Sequence, residues 1–404
     1  TLISLIPLYY LSYELFKSPY AGAFTVVIAA TSSDLYIAHA WAAGIARAPA
    51  FIFALFSIYF FHRHSNSPSK NNIVLTGLFF GLALLSHLAY GLFCFVWIVC
   101  WTLLKPSLRR IIDSTISICL GLLIALIWII PISSRFGGAI FLNAFNSHSS
   151  GDSASFLATG LSAWGRLIVQ NTLPIRSNLL MMVLIGIGAF FLIKKKEFTL
   201  LLFYLLVILF FPENARFVFL IGSLIAGFGL STVIEQLLEI FPKEKNLLAQ
   251  SLSIGLVLFI IGFLWYNGCR SLNNQSPIIE NATFELAENI QTILPLDSKY
   301  LALIKQDEAE WLPFLFQRDP IVSQWGSEWL GAYDEQTYLM SLFRDCQERQ
   351  DWPCVENVIG ETGTQPDFLI TYSKDKKLND QLSALPQWES IYKNERYTVW
   401  VRVN

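Results

Sequence analysis

The chain has 404 residues, of which 54% are hydrophobic and 14% charged, and its formal net charge is −2. This composition is typical of a polytopic membrane protein, because charged residues are rare in segments that contact lipid. Lysine and arginine cluster only where short loops meet apolar segments, which argues against nucleic acid as a partner. The chain begins at Thr1 inside an apolar run, and we therefore expect that its natural N-terminus is missing.

Ten apolar segments occupy the first two thirds of the chain. Several are shorter than the roughly 20 residues that cross a bilayer, so we expect some to be short helices beside a membrane cavity. The segments lie at about 1–16, 21–33, 43–61, 73–86, 90–104, 111–132, 175–193, 198–211, 216–234 and 247–267.

The basic residues of the connections predict the orientation of these segments. If the segments alternate in direction, most basic residues fall on one side, which the positive-inside rule assigns to the cytoplasm. These residues are Lys17, Arg63, Lys70, Lys105, Arg109, Arg110, Lys194, Lys195, Lys196, Lys243 and Lys245. The loop at 34–42, the turn at His87, the long connection 133–174 and the C-terminal part are then extracytoplasmic.

The periodicity of the chain changes after the last apolar segment. We predict a helical transmembrane domain over 1–267 and a small extracytoplasmic α/β domain over 268–404. The run YLALI at 300–304 and DFLITY at 367–372 resemble buried strands. The final SIYKNERYTVWVRV predicts an antiparallel hairpin that turns at Asn394 and Glu395.

Two cysteines in the C-terminal part lie close together in sequence. Cys346 and Cys354 bracket seven residues, and such a pair in an exported domain predicts a disulfide that closes a small loop. A metal site is the alternative, although it would need further ligands nearby.

The first candidate reaction centre is the segment from Thr31 to Arg47. Asp34 is a candidate catalytic group or a ligand of Mg²⁺ or Mn²⁺, since hard cations take oxygen ligands; its alternative role is capping a helix end. His39 is a candidate phosphate or metal ligand, or a structural histidine. Arg47 stands among small residues inside an apolar segment, where its planar fork suits a phosphate; the alternative is a buried ion pair with Glu14.

Two further candidates stand at the same predicted side. His87 lies where two apolar segments meet, and Arg216 begins another segment from outside. Each is a candidate phosphate ligand, although His87 is also compatible with a packed core histidine and Arg216 with a simple pair to Glu213. His148 and Asp152, in the long connection 133–174, are most simply a solvated turn.

The C-terminal part also contains a tryptophan-rich stretch with interspersed acids. Trp311, Trp325 and Trp329 stand near Glu310 and Glu328, and they fit a carbohydrate-stacking or membrane-resting face. The alternative is that they form the aromatic core of a small domain.

Three passages resemble polytopic glycosyltransferases of the GT-C type, related to polyprenyl-phosphate-sugar-dependent mannosyltransferases. They are GIARAPAFIFAL, GLFFGLALLSHLAYGLF and PENARFVFLIGSLIAGFGL. The resemblance implies transfer of a sugar from a lipid-phosphate donor to an acceptor on the extracytoplasmic face of a bacterial plasma membrane. It also implies a divalent metal in some members, and it places the main general base upstream of Thr1, with Asp34 in the second outer loop.

Two other functions are compatible with the same pattern. A non-enzymatic glycan or lipid transporter or assembly factor would be expected to show paired, interrupted helices. A surface-glycan polymerase or ligase would depend on arginines and histidines of the long loop and would need no metal. The sequence specifies neither the sugar nor the acceptor.

Overall fold

The protein is described here by a computed structural model, which defines residues 2–32, 35, 44–146, 176–210, 215–240, 246–273, 277 and 279–403. The chain forms two compact units. The helical unit comprises residues 1–131 and 152–275, and the C-terminal unit comprises 132–151 and 276–404. The predicted domain boundary after residue 267 falls inside the last helix of the helical unit, which continues to Asn273.

Each of the ten predicted apolar segments contains a helix. The helices are α1 Leu5–Phe16, α2 Pro19–Ala30, α3 Gly44–Asn66, α4 Lys70–Ser86, α5 Leu88–Leu104, α6 Leu108–Phe136, α8 Arg176–Lys194, α9 Phe198–Phe210, α10 Ala215–Ile240 and α11 Asn246–Asn273. A short helix, α7, covers Ala139–Asn146 and belongs to the C-terminal unit.

Within the described ranges, two helices are long and apolar enough to cross a bilayer by themselves. They are Leu108–Phe136 and Arg216–Glu239. The first is mostly exposed and the second is mostly buried by the other helices of its unit. Seven more apolar helices have 10–17 residues. The helices of the predicted membrane domain are therefore present, whereas the number that span the bilayer is not fixed by their lengths.

Helix α10 forms the centre of the helical unit. It packs against α2 and α8, and almost every side chain from Phe217 to Leu230 is buried. Small residues allow this close approach, as is common between membrane helices. A Cβ on Gly229 would lie 2.6 Å from the Cα of Gly188, and one on Gly188 would overlap the backbone carbonyl of Ile225. The two glycines therefore set the distance between α8 and α10.

The C-terminal unit contains a four-stranded sheet flanked by short helices. The strands are β1 Tyr300–Leu303, β2 Phe368–Tyr372, β3 Trp388–Lys393 and β4 Tyr397–Arg402. The helices are α12 Asn281–Ile293, α13 Gln306–Ala309, α14 Leu312–Phe316, α15 Ser327–Leu330, α16 Tyr333–Arg349, α17 Trp352–Thr362 and α18 Lys376–Ser383. The strand order is β1-β2-β4-β3, with β1 parallel to β2 and the other pairs antiparallel.

Alternation along the strands separates two hydrophobic layers. Leu301 and Leu369 pack with α16, α17 and α18 on one face of the sheet, whereas Phe368 and Ile370 pack with α12 and α14 on the other. Successive side chains of a strand point to opposite faces, so both faces of the sheet are covered by helices. The predicted α/β character of this part is confirmed.

The predicted hairpin turn is confirmed and has a clear physical cause. The side-chain carbonyl of Asn394 accepts hydrogen bonds from the backbone N–H groups of Arg396 (3.0 Å) and Tyr397 (2.7 Å). Its amide group also donates to the carbonyl of Ala282 at 2.9 Å, in α12. Asparagine is a preferred turn residue because its side chain can bond to the backbone two residues further on.

A buried ionic network connects α13 to the sheet. Glu308 is only 4% exposed and accepts hydrogen bonds from the hydroxyls of Tyr372 (2.8 Å) and Tyr397 (3.2 Å), and it pairs with Arg396. Arg396 also pairs with Glu280 at 2.5 Å. The carboxylate is thus buried and satisfied by three partners from β2, β4 and the turn between β3 and β4.

The predicted disulfide between Cys346 and Cys354 is present. It joins the C-terminal part of α16 to the first turn of α17, with 5.5 Å between the Cα atoms. The bond therefore fixes the tight connection between these two helices.

The packing of α8 against α10 predicts a difference between two glycines of one helix. Gly188→Ala should lower the stability of the helical unit by about 1–3 kcal/mol, because the added methyl group meets backbone of α10 that cannot move aside. Gly186→Ala is the matched control, since a Cβ there meets nothing within 4 Å. Thermal unfolding of the protein in detergent measures both variants, and equal midpoints for them would contradict this packing.

The Glu308 network predicts a loss of stability from a small change. Glu308→Gln should reduce the free energy of unfolding by about 1–3 kcal/mol, because the buried carboxylate that accepts from Tyr372, Tyr397 and Arg396 is lost, although Arg396 keeps its pair with Glu280. Glu389→Gln, at an exposed position of β3, should have almost no effect. Urea unfolding followed by near-ultraviolet circular dichroism makes the comparison. A Glu308→Gln variant as stable as Glu389→Gln would show that the network contributes little.

Candidate functional site

Three helix N-termini meet at one end of the helical unit. Arg47 lies in the first turn of α3, His87 directly precedes α5, and Arg216 is the second residue of α10. Tyr90 brings them together, because the guanidinium carbon of Arg216 lies 5.0 Å from its ring centroid and the His87 ring 5.4 Å. Both arginines interact electrostatically with Tyr90 and with each other. We call Arg47, His87, Tyr90 and Arg216 the arginine cluster.

Local sequence explains how α5 positions His87 and Tyr90. His87 is in an extended conformation, and its Nδ1 accepts a hydrogen bond from the backbone N–H of Ala89 at 3.3 Å. This side chain is therefore the N-cap of α5. Tyr90 follows one turn later on the same side of the helix.

Aromatic packing holds α10 against α5 beneath the cluster. The ring of Phe217, next to Arg216, is stacked on Phe93 with 4.4 Å between centroids and meets Tyr90 edge-on at 5.1 Å. Phe51 of α3 contacts Tyr90 from another side, at 6.0 Å. The position of Arg216 is thus fixed by buried rings, and Phe51 ties α3, which carries Arg47, to the same rings; such pairs add to the energy of apolar burial.

The electrostatics of the cluster are unfavourable without an anion. The N-terminus of a helix carries a partial positive charge, so arginine in the first turn is destabilising, whereas an anion there is stabilising. No acidic residue stands in the first turn of α3, α5 or α10. Arg216 is only 9% exposed. The Nε atoms of Arg47 and Arg216 are both buried, with no hydrogen-bond partner among the described residues.

The acids of the helical unit lie elsewhere. Its described residues include five, which are Glu14, Asp113, Glu197, Glu235 and Glu239. The last two stand in the C-terminal half of α10, about 28 Å or more along the helix from Arg216. The described part of this unit therefore offers the arginine cluster no carboxylate.

The other three acids are neutralised by basic side chains at the opposite end of the unit. Glu14 pairs with Lys17 at 2.5 Å and accepts a hydrogen bond from Asn66 of α3. Asp113 lies 2.8 Å from the Nε2 of His64, and Glu197 lies 3.6 Å from Lys105. The three acids are thus paired at one end, and the arginine cluster at the other end has positive charge without a described acid.

The structure describes only some of the candidate site residues, and their roles stay predictions. It brings Arg47, His87 and Arg216 together. Asp34 and His39 lie outside the described residues, as does Glu213, the alternative partner of Arg216. An ion pair of Arg47 with Glu14 is not formed, since Glu14 bonds to Lys17 and Asn66 at the far end of α3.

Tyr90 is the member of the cluster that sequence reasoning missed. One signal was available, because His87 and Tyr90 stand three residues apart and such positions share a helix face. In an apolar run rich in aromatic residues, however, a tyrosine does not differ visibly from a packing residue.

The described residues do not supply a site for a divalent metal. Among them, no group of three or more His, Cys, Asp or Glu side chains is close enough to hold an ion. The arginine cluster offers one imidazole beside two guanidinium groups, whereas Mg²⁺ and Mn²⁺ prefer several oxygen ligands. The chemistry of this cluster therefore suits an anion and not a cation.

Comparisons with known proteins give one family match and several matches among solved structures. Residues 1–134 match the family described as dolichyl-phosphate-mannose-protein mannosyltransferase. Among solved structures, the chain resembles the oligosaccharyltransferase of Archaeoglobus fulgidus, solved in complex with Zn and sulfate. The TM-score is 0.48 and the sequence identity 11%, over 91% of this chain and 54% of that one. The chain thus spans about half the length of that structure. No curated protein matches the sequence.

The matched region covers a third of the chain and includes α1 to α5, with Arg47, His87 and Tyr90. It contains two of the three passages on which the sequence resemblance rests. Over residues 1–134, the chain is thus similar to a mannosyltransferase family, in agreement with the resemblance to GT-C glycosyltransferases that these passages predicted.

Proposed function

We propose that the protein is a membrane glycosyltransferase that takes a sugar from a lipid-phosphate donor. The observation that carries the proposal is the arginine cluster, in which two guanidinium groups with buried Nε atoms and three helix N-termini converge without a described carboxylate. A phosphate diester or monoester supplies the charge that this arrangement lacks. The family match over residues 1–134 supports the same donor class.

The cluster is suited to stabilise a departing lipid phosphate. When the bond between the sugar and the phosphate breaks, negative charge grows on the phosphate oxygens. Guanidinium groups donate paired hydrogen bonds to such oxygens, and in a dry site this interaction strengthens as the charge develops. Because Tyr90 and Phe217 already hold Arg216 in place, little rearrangement is needed when the bond breaks.

His87 and the segment before Arg47 complete the proposed site. We assign His87 as a further phosphate ligand beside Tyr90, and His39 as one from the adjoining loop. Asp34 carries the proposed carboxylate, either as the group that orients the acceptor hydroxyl or as a ligand of Mg²⁺ or Mn²⁺. The general base that removes the acceptor proton is not among the described residues of the arginine cluster.

We further propose that the arginine cluster faces the extracytoplasmic side of a bacterial plasma membrane. The positive-inside rule assigns the opposite end, with Lys17, Arg63 and Lys105, to the cytoplasm. Arg47 and Arg63 stand about 24 Å apart along α3, close to the thickness of a bilayer core. The disulfide between Cys346 and Cys354 suits an oxidising compartment, which is consistent with an exported C-terminal unit.

Removal of one arginine should slow transfer strongly. We expect Arg216→Ala, and separately Arg47→Ala, to reduce turnover at saturating donor by about 10²–10³-fold, the usual effect of losing one donor to a developing oxyanion. Arg216→Lys should retain part of the activity, because it keeps the charge and loses the planar fork. The assay follows release of radiolabelled sugar from polyprenyl-phosphate mannose and polyprenyl-phosphate glucose by the protein in membranes.

Arg63→Ala is the control for this experiment. Arg63 lies in the same helix as Arg47 but at the opposite end, where it donates to the hydroxyl of Tyr59 at 3.0 Å. Its removal should leave turnover close to normal. Equal activity of Arg216→Ala, Arg47→Ala and Arg63→Ala, with all three folded by size-exclusion chromatography, would contradict the assignment. Donor binding without sugar release in the unaltered protein would favour a transporter instead.

The two roles proposed for Asp34 predict different responses to metal. If Asp34 is a metal ligand, EDTA abolishes transfer, and Asp34→Asn raises the Mn²⁺ concentration that restores it by about 10–100-fold. If Asp34 orients the acceptor, EDTA has no effect and Asp34→Asn raises the Michaelis constant for the acceptor. Full activity of Asp34→Asn under both conditions would remove this residue from the site.

A further inference from the structure

The C-terminal unit contains a cavity of about 590 Å³ at the ends of its parallel strands. Its wall follows β1 and β2 past their last residues, through Lys305 and Lys374, and α16 closes the opposite side. In α/β sheets, ligands bind in the crevice outside the carboxyl ends of parallel strands. A cavity of this size accommodates a ligand of two or three sugar rings.

One wall of the cavity is a chain of hydrogen-bonded amide and carboxyl groups. The Gln306 amide donates to Glu310 at 3.3 Å and also to the side-chain carbonyl of Gln324. Gln324 in turn donates to the hydroxyls of Tyr333 at 2.8 Å and Thr337 at 3.2 Å. Mutual bonding holds these groups in place before a ligand arrives, and every amide oxygen and hydroxyl can accept a further bond.

An exposed indole lies outside the cavity lining and contacts its wall through Glu310. Trp325 is 51% exposed, directly follows Gln324, and donates a side-chain hydrogen bond to Glu310. Burial raises the pKa of the Glu310 carboxyl, and the nearby Asp307 and Glu328 add to this effect. The rigid indole ring offers an apolar surface, and the planar polar groups next to it offer hydrogen-bonding edges. A sugar ring has a matching apolar face and a rim of hydroxyl groups.

The charges around the cavity are mixed. Basic side chains from Lys305, Arg344 and Lys374 alternate with acids, of which Glu310 and Asp375 have a raised pKa because they are desolvated. This balance gives no strong field of either sign, so it does not select a polyanion or a polycation. A ligand without net charge and rich in hydroxyl groups suits the lining best.

We propose that this cavity is a carbohydrate-binding site and that its ligand is a neutral oligosaccharide. The ligand stacks one ring on Trp325 and bonds through its hydroxyl groups to Glu310, Gln306 and Gln324. The proposal concerns binding alone, and it stands or falls independently of sugar transfer at the arginine cluster.

A peptide ligand fits the cavity less well. Peptides that join a sheet need an unpaired strand edge, and the start of the edge strand β1 is already bonded. The N–H of Tyr300 donates to the carbonyl of Asp319 at 3.2 Å, and its carbonyl accepts from the N–H of Ile321 at 2.8 Å. The cavity offers side-chain amides and hydroxyls at the strand ends, which suit hydroxyl groups.

Saturation-transfer difference NMR on the full-length protein in detergent tests the proposal. The probes are mannopentaose and maltopentaose as neutral oligosaccharides, an oligogalacturonate as an acidic one, and an extended Ser/Ala peptide. No lipid donor is present, so the result does not depend on catalysis. We expect at least one neutral oligosaccharide to bind, and Trp325→Ala and Gln324→Ala each to weaken its binding by about tenfold or more.

Two further variants decide whether the effect is local. Phe314→Ala removes an aromatic side chain that is 77% exposed and, unlike Trp325, has no polar group that could bond to the cavity wall, and it should leave binding unchanged. Trp325→Phe keeps an aromatic face and should retain part of the affinity. The proposal is overturned if no neutral oligosaccharide binds, if Trp325→Ala and Gln324→Ala bind as the unaltered protein does, or if the acidic oligosaccharide or the peptide binds more tightly.

Discussion

The helical unit is organised around two arginines that stand where positive charge is least favourable. Arg47 and Arg216 each begin a helix, so the partial charge of the helix end adds to that of the guanidinium group. Aromatic rings reduce this cost, since Arg216 lies over the faces of Tyr90 and Phe217. A cation–π contact leaves the edge of a guanidinium group available for hydrogen bonds. The cluster therefore still lacks a negative charge, and the guanidinium groups that would bind an anion are held in fixed positions.

The need for an anion explains the distribution of charge along the helices. Had the three acids at the other end been placed near the cluster, they would have neutralised it and competed with any anionic ligand. Instead, Glu14, Asp113 and Glu197 each pair with a neighbouring basic side chain. The pairs also join α1 to α3, α3 to α6, and the end of α5 to the α8–α9 connection. At one end of the helical unit the three acids pair with basic side chains and connect helices, whereas at the other end the two arginines have no described carboxylate as a partner.

Sequence reasoning selected residues that lie close together in the structure where the signal is local. Arg47, His87 and Arg216 each stand within or at the end of an apolar run, and a hydrophilic residue there is conspicuous without knowledge of the fold. The strands, the hairpin and the short disulfide loop are also local patterns. The Glu308–Arg396 pair was missed because 88 residues separate its members, and both look like ordinary surface charges in sequence. Their pairing depends on how β2 and β4 meet, which periodicity alone does not specify.

The two proposed binding sites differ in their charge and in their hydrogen-bonding groups. In the helical unit, burial and helix ends concentrate a single sign of charge, which gives strong attraction for an anion but little ability to distinguish what the anion is attached to. Around the cavity of the C-terminal unit, charges cancel and fixed amides and hydroxyls remain. Such groups discriminate by geometry, because an incorrect ligand leaves a buried partner unsatisfied. The first property suits the proposed lipid-phosphate donor, which is defined by its phosphate, and the second suits the proposed neutral oligosaccharide, which is defined by the arrangement of its hydroxyl groups.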